Sequence, residues 1–133
     1  DHRGVARLIG DLNRIYRETS ALWSQDHDPA GFGWIDADDV SGNVFSFLRY
    51  GSDGSTVACV ANFSAIPHEQ YQLGLPRTGR WDEVINTDAD LYFGSGVGNF
   101  GGVDAVAEAS HGLPASVRLR VPPLGALWLR FAG

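Results

Sequence analysis

"NVFSFLRYGSDGSTVACVANF", residues 43–63, decides the fold. Its flanks, 43–50 and 56–63, are rich in aromatic and β-branched residues, while the five residues between them all favour turns. Asp53-Gly54 supplies the positive-φ positions that a tight hairpin needs. The stretch therefore predicts two antiparallel strands joined by a short turn.

Downstream, the same short-period text continues. "YQLGL" (71–75) and "RWDEVIN" (80–86) are separated by Pro76 and Gly79. "ASVRLRV" (115–121) alternates apolar and polar residues, turns at Pro122-Pro123, and resumes as "ALWLRF" (126–131). Six such runs with turn signals between them predict an all-β antiparallel β-sandwich. Residues 88–112 read as one long glycine-rich loop, and a loop of that length in a compact domain is usually functional or mobile.

Upstream, the periodicity changes. Val5, Leu8, Ile9, Leu12, Ile15 and Tyr16 recur at spacings of three and four, which predicts an amphipathic α-helix over 3–18. Such a stripe needs something to pack against: either a sheet face of this same domain or elements of a preceding domain. Residues 19–33, with Asp28-Pro29 and two glycines, read as a connector. The expected organisation is a terminal helix over 1–20, a connector over 21–38 and a β-domain over 39–133. The chain has no initiator Met and starts abruptly at "DHRGVARLIG", which suggests a piece of a longer protein.

Composition narrows the partners. The hydrophobic share of 44% suffices for a core, and the net charge of −6 without any basic run speaks against nucleic acid or an anionic membrane surface. No apolar stretch approaches a membrane span and no secretion signal is visible. The one cysteine, Cys59, lies in an apolar run and reads as a small core residue. A reducing, cytoplasmic setting is the expectation.

Several motifs invite chemistry and fail on spacing. "GFGWIDADD" (31–39) places Asp36, Asp38 and Asp39 close together, but a calcium loop counted from Asp36 meets Val40, Ser41 and Phe47 at its fifth, sixth and twelfth positions. "DADLYFG" from Asp88 fails likewise at Tyr92 and Phe93. "GVGNFG" (96–101) matches G-x-G-x-x-G literally, yet no strand–turn–helix surrounds it to carry a pyrophosphate. No nucleophile elbow is present, and His2, His27, His68 and His111 are scattered without metal-ligand spacing. The acids sit mostly in polar, glycine-rich text, unlike the apolar pocket a catalytic acid of glycoside chemistry needs. The expectation is no catalytic residue, no metal and no cofactor in this chain.

Four tryptophans remain. Trp81 and Trp128 lie in predicted strands and lean to the core. Trp34 is bracketed by Gly33 and a run of acids, so its ring is less obliged to be buried, and a packed core place and a surface ligand contact both stay open for it. An exposed ring can stack on the C–H face of a sugar while neighbouring polar groups bind hydroxyls.

"RLIGDLNRIYRETSALWSQDHDPAGFGWIDADD", "FSFLRY", "VACVANFSAIPHEQYQLGLP", "GRWDEVINTDADLYFGSGVGN" and "LRVPPLGALWLRF" together resemble the C-terminal end of bacterial 1,4-α-glucan branching enzymes. The most specific pieces are "DPAGFGWID", "NFSAIPHEQY" and "EVINTDADLYFGSGVGN". The resemblance implies that the leading helix closes a catalytic (β/α)8 barrel and that the rest is the C-terminal β-sandwich of the α-amylase family. It implies an intact enzyme that cuts α-1,4 glucan and rejoins the segment through an α-1,6 bond, using an Asp nucleophile and a Glu acid/base upstream of Asp1. Within it, Trp34 takes the role of a glucan contact, with α-glucan and the barrel as partners. Two other readings stay open: a free-standing sandwich that binds glycans or a protein, and the C-terminal domain of a related debranching or trehalose-forming enzyme.

Overall fold

The computed structural model describes residues 2–38 and 42–133. Among these, one α-helix, α1 (His2–Glu18), is followed by strands β1 (Phe32–Asp36), β2 (Val44–Tyr50), β3 (Thr56–Asn62), β4 (His68–Leu75), β5 (Gly79–Asn86), β6 (Gly102–Ala105), β7 (Ala115–Val121) and β8 (Gly125–Phe131). Single 3₁₀ turns lie at Ser20–Leu22, Pro29–Gly31 and Asp90–Tyr92.

The strands make a six-stranded sheet in the order β1-β2-β3-β8-β5-β6 and a two-stranded sheet of β4 and β7. Every pairing is antiparallel, so the sandwich expected from the sequence is present. The period-two pattern explains which face is inside. Val44, Ser46 and Leu48 of β2 point inward, and Phe45 and Phe47 point outward. Inward residues of the large sheet, including Val60, Trp81, Leu127 and Leu129, meet Leu73, Leu75, Leu119 and Val121 of the small one. The Trp81 indole is fully buried and donates from Nε1 to the Arg77 carbonyl at 3.2 Å, so a polar atom in the core has its partner.

The hairpin that decided the fold forms with Tyr50 opposite Thr56 and Gly54 at φ 86°. Asp53 Oδ1 accepts from the Ser55 amide at 3.0 Å and from its hydroxyl at 2.6 Å, closing the turn.

Two strands lie where the sequence reading placed none. Residues 32–36, within the expected connector, pair with β2 as the edge of the large sheet. Residues 102–105, inside the expected loop 88–112, pair with Gly79–Asp82 on the opposite edge. Both are short edge strands, and pairing with a neighbour rather than intrinsic pattern makes them strands. β4 also begins at His68, three residues earlier than expected, across a register shift before Tyr71.

The leading helix divides its apolar stripe. Gly4 and Ile15 are buried, and Gly4 lies so near the 90–93 turn that an added Cβ would stand 2.5 Å from the Tyr92 carbonyl. The other edge of the stripe, Val5, Ile9 and Tyr16, is exposed. Tyr92 also donates its hydroxyl to Asp11 Oδ2 at 2.6 Å.

An aromatic sheet face as the candidate functional site

Trp34 sits on edge strand β1, where alternation sends Ile35 into the core and leaves the indole 58% exposed on the outer sheet face. Cross-strand pairing sets Trp34 opposite Phe47, Phe47 opposite Cys59, and Cys59 opposite Trp128. One row of side chains therefore crosses four strands on that face. Phe32 meets Trp34 edge to face with centroids 5.2 Å apart, and Trp34 meets Phe47 at 6.2 Å. Phe32 and Phe47 stack at 5.4 Å, so Trp34 stands on a rigid aromatic base.

The next row along the sheet continues the surface. Phe45 pairs with Ala61, and its ring meets Phe63 at 5.5 Å. Trp34, Phe45, Phe47, Ala61 and Phe63 line an open concavity of about 350 Å³. A second, of about 420 Å³, continues from Ala61 and Phe63 over Leu124 and Ala126. The other end of the face is covered: Ala21 and Leu22, in the 3₁₀ turn after α1, pack on Val57, Cys59 and Trp128. Burial pushes the Cys59 thiol up to about 12, which leaves it protonated and inert.

Asp28, Asp36 and Asp88 are engaged in local backbone work, the last two being carboxylates the sequence marks for a possible metal. Asp28 caps the Ala30 amide at 2.9 Å, and Asp36 Oδ1 accepts from the Asp38 amide at 3.0 Å. Asp39 lies outside the described residues. Asp88 accepts from the Ser95 hydroxyl, the Ser95 amide and the Val97 amide at 2.5, 3.0 and 3.1 Å. Burial alone would raise the Asp88 carboxyl, but these bonds outweigh it and hold the group below its ordinary value.

The glycines of "GVGNFG" serve the same loop. A Cβ on Gly98 would stand 2.3 Å from Asn86 Nδ2, and the segment leads into β6 instead of a helix. His68 and His111, far apart in sequence, flank the Tyr71 ring at 5.9 and 6.4 Å. His2 and His27 lie on the surface. Sequence reasoning singled out Trp34 but not Phe32, Phe45, Phe47 and Phe63 as its neighbours. The i, i+2 spacing of Phe45 and Phe47, opposite in phase to Val44 and Leu48, is the signal that marks an aromatic outer face.

Comparisons with known proteins agree with this architecture. Residues 34–132 match the family described as "Alpha amylase, C-terminal all-beta domain". The chain is 62% identical over 126 residues to the 1,4-alpha-glucan branching enzyme GlgB of Mycobacterium ulcerans (strain Agy99), covering 95% of this chain and 17% of that protein. It is 60% identical over 126 residues to the enzyme of the same name from Mycobacterium tuberculosis (strain ATCC 25618 / H37Rv), with the same coverage. For that of Rhodococcus jostii (strain RHA1), the identity is 55% over 128 residues, covering 96% of this chain and 18% of the relative. The chain thus spans under a fifth of the length of these relatives. A match across both sheets, from Trp34 in β1 to the residue after β8, establishes that the chain belongs to the family of α-amylase C-terminal all-β domains.

Proposed function

We propose that this chain is the C-terminal β-domain of a bacterial 1,4-α-glucan branching enzyme, bracing a catalytic (β/α)8 barrel and offering α-glucan a contact at Trp34. High identity to proteins named 1,4-alpha-glucan branching enzyme supports the first part. The observation that carries the second is the exposed indole of Trp34 on its base of Phe32 and Phe47. A pyranose presents an apolar C–H face that such a ring can cover, and a long polysaccharide gains from a contact remote from the reacting bond because it raises the local concentration of chain.

In this reading α1 is the last helix of the barrel, and its exposed edge of Val5, Ile9 and Tyr16 packs on the barrel elements before it. The sandwich starts at β1. The nucleophilic Asp and the Glu acid/base belong to the barrel, so glycosyl transfer proceeds there by retention and needs no organic cofactor. Glycogen is cytoplasmic in this reading, and so is the enzyme.

The test is activity of the full-length protein against activity of the 133-residue chain on amylose. The full-length protein should lower iodine absorbance and generate linkages cut by isoamylase, and the chain alone should do neither. Branching by the isolated chain, or none by the full-length protein, overturns the proposal.

A further inference from the structure

Trp34 is followed at once by a register shift, between Trp34 and Asp36, on an edge strand whose sheet neighbour among the described residues is β2. A bulge leaves one residue out of the ladder and bends the strand there, so contacts beyond the ladder bear on how it is aimed. Beyond the shift, Asp36 Oδ2 lies 3.5 Å from His111 Nε2. His111 is itself held from two further sides. Its Nδ1 accepts the Gly74 amide of β4 at 3.0 Å, and its ring stacks on Tyr71 with centroids 6.4 Å apart and planes 24° from parallel. With Nδ1 as the acceptor, the neutral ring carries its proton on Nε2, the nitrogen that lies 3.5 Å from the Asp36 carboxylate. His111 adopts φ 53° and Gly112 follows at φ 74°, so the chain takes an uncommon conformation where it aims this ring.

We propose that His111 is a positioning residue for the glucan contact: through Asp36 it ties the bulge of β1 to the small sheet and so fixes the orientation of the Trp34 indole. The inference rests on the reading of Trp34 as a glucan contact. Phe32 and Phe47 supply the surface on which the ring leans. The strand that presents the ring is held by the link Asp36–His111–Gly74, which joins the edge of one sheet to the backbone of the other.

The experiment follows the Trp34 indole ¹H–¹⁵N resonance, assigned with Trp34→Phe, together with maltoheptaose affinity of the 133-residue chain. His111→Ala and Asp36→Ala remove the link from its two ends. His111→Gln keeps an acceptor for the Gly74 amide and a donor for Asp36. The two alanine variants should each move the Trp34 resonance and weaken maltoheptaose by about fivefold, while His111→Gln restores the native values to within about twofold. The buried Trp81 indole reports folding and should stay in place throughout. An unmoved Trp34 resonance with native affinity in both alanine variants overturns the proposal. A moved resonance in a chain whose native form does not bind maltoheptaose keeps the positioning role and rejects the glucan reading instead.

Discussion

Gly4 of α1 occupies a place that other residues cannot share. A methyl group there would meet the Tyr92 carbonyl at 2.5 Å and the Phe93 ring at 2.8 Å. Gly4→Ala should therefore force the helix off the 90–93 turn and destabilise the chain by about 1–3 kcal/mol in urea unfolding, despite the better helix propensity of alanine. At the same contact, desolvation and then the bond to Asp11 push the Tyr92 hydroxyl up to about 12. An unfolded tyrosine ionises near 10, so the contribution of this hydroxyl is complete below pH ~10 and is lost as pH rises toward ~12. Tyr92→Phe should flatten that alkaline decline in a series of denaturation curves across pH. Cys59 gives a separate test of the outer-face cover. Its raised thiol, packed under Ala21 and Leu22, should resist a thiol reagent in the native chain and react on unfolding.

Among the elements, the loop between β5 and β6 carries the most polar organisation. Asp88 gathers Ser95 and Val97, Asn86 Nδ2 donates to the Val97 carbonyl at 2.8 Å, and Asn99 exchanges bonds with the Arg120 backbone at 2.8 and 3.0 Å. Asp88→Ala leaves three donors without their acceptor and should cost about 2 kcal/mol, read by urea unfolding at neutral pH. Because the folded Asp88 carboxyl lies below its ordinary value, its contribution is present above the usual carboxylate range and lost as pH falls below it. The difference between native chain and variant should shrink accordingly in acid. This loop also shows where sequence reading reaches its limit. The β2–β3 hairpin was legible because its alternation and its turn are local. β6 was not, since "GVDA" becomes a strand by pairing with the edge of β5 inside text that reads as loop. β1 was hidden in the same way, between glycines and acids. Trp34 stood out as a ring in polar surroundings, but the meeting of Asp36, Tyr71 and His111 depends on how two sheets are stacked. No spacing in the chain encodes it.

At the scale of the whole molecule, two of the apolar surfaces open among the described residues take different occupants in the proposal. The exposed edge of α1 is assigned to the barrel. Val5→Lys with Ile9→Lys should leave the isolated chain within about 0.5 kcal/mol of its native stability per site, since both side chains are already exposed. The same pair should markedly lower the thermal stability of the full-length protein, and equal behaviour in both contexts would reassign the helix. The aromatic face of β1, β2 and β3 is assigned to α-glucan, and Trp34 is its most specific residue. The most direct measurement is a maltoheptaose titration of the ¹⁵N-labelled chain beside Trp34→Ala. The account predicts saturable shifts centred on the Trp34 indole and the strands around Phe45 and Phe47, weakened about tenfold or more by the substitution. Equal shifts in both proteins, or shifts that spare this face, would contradict it.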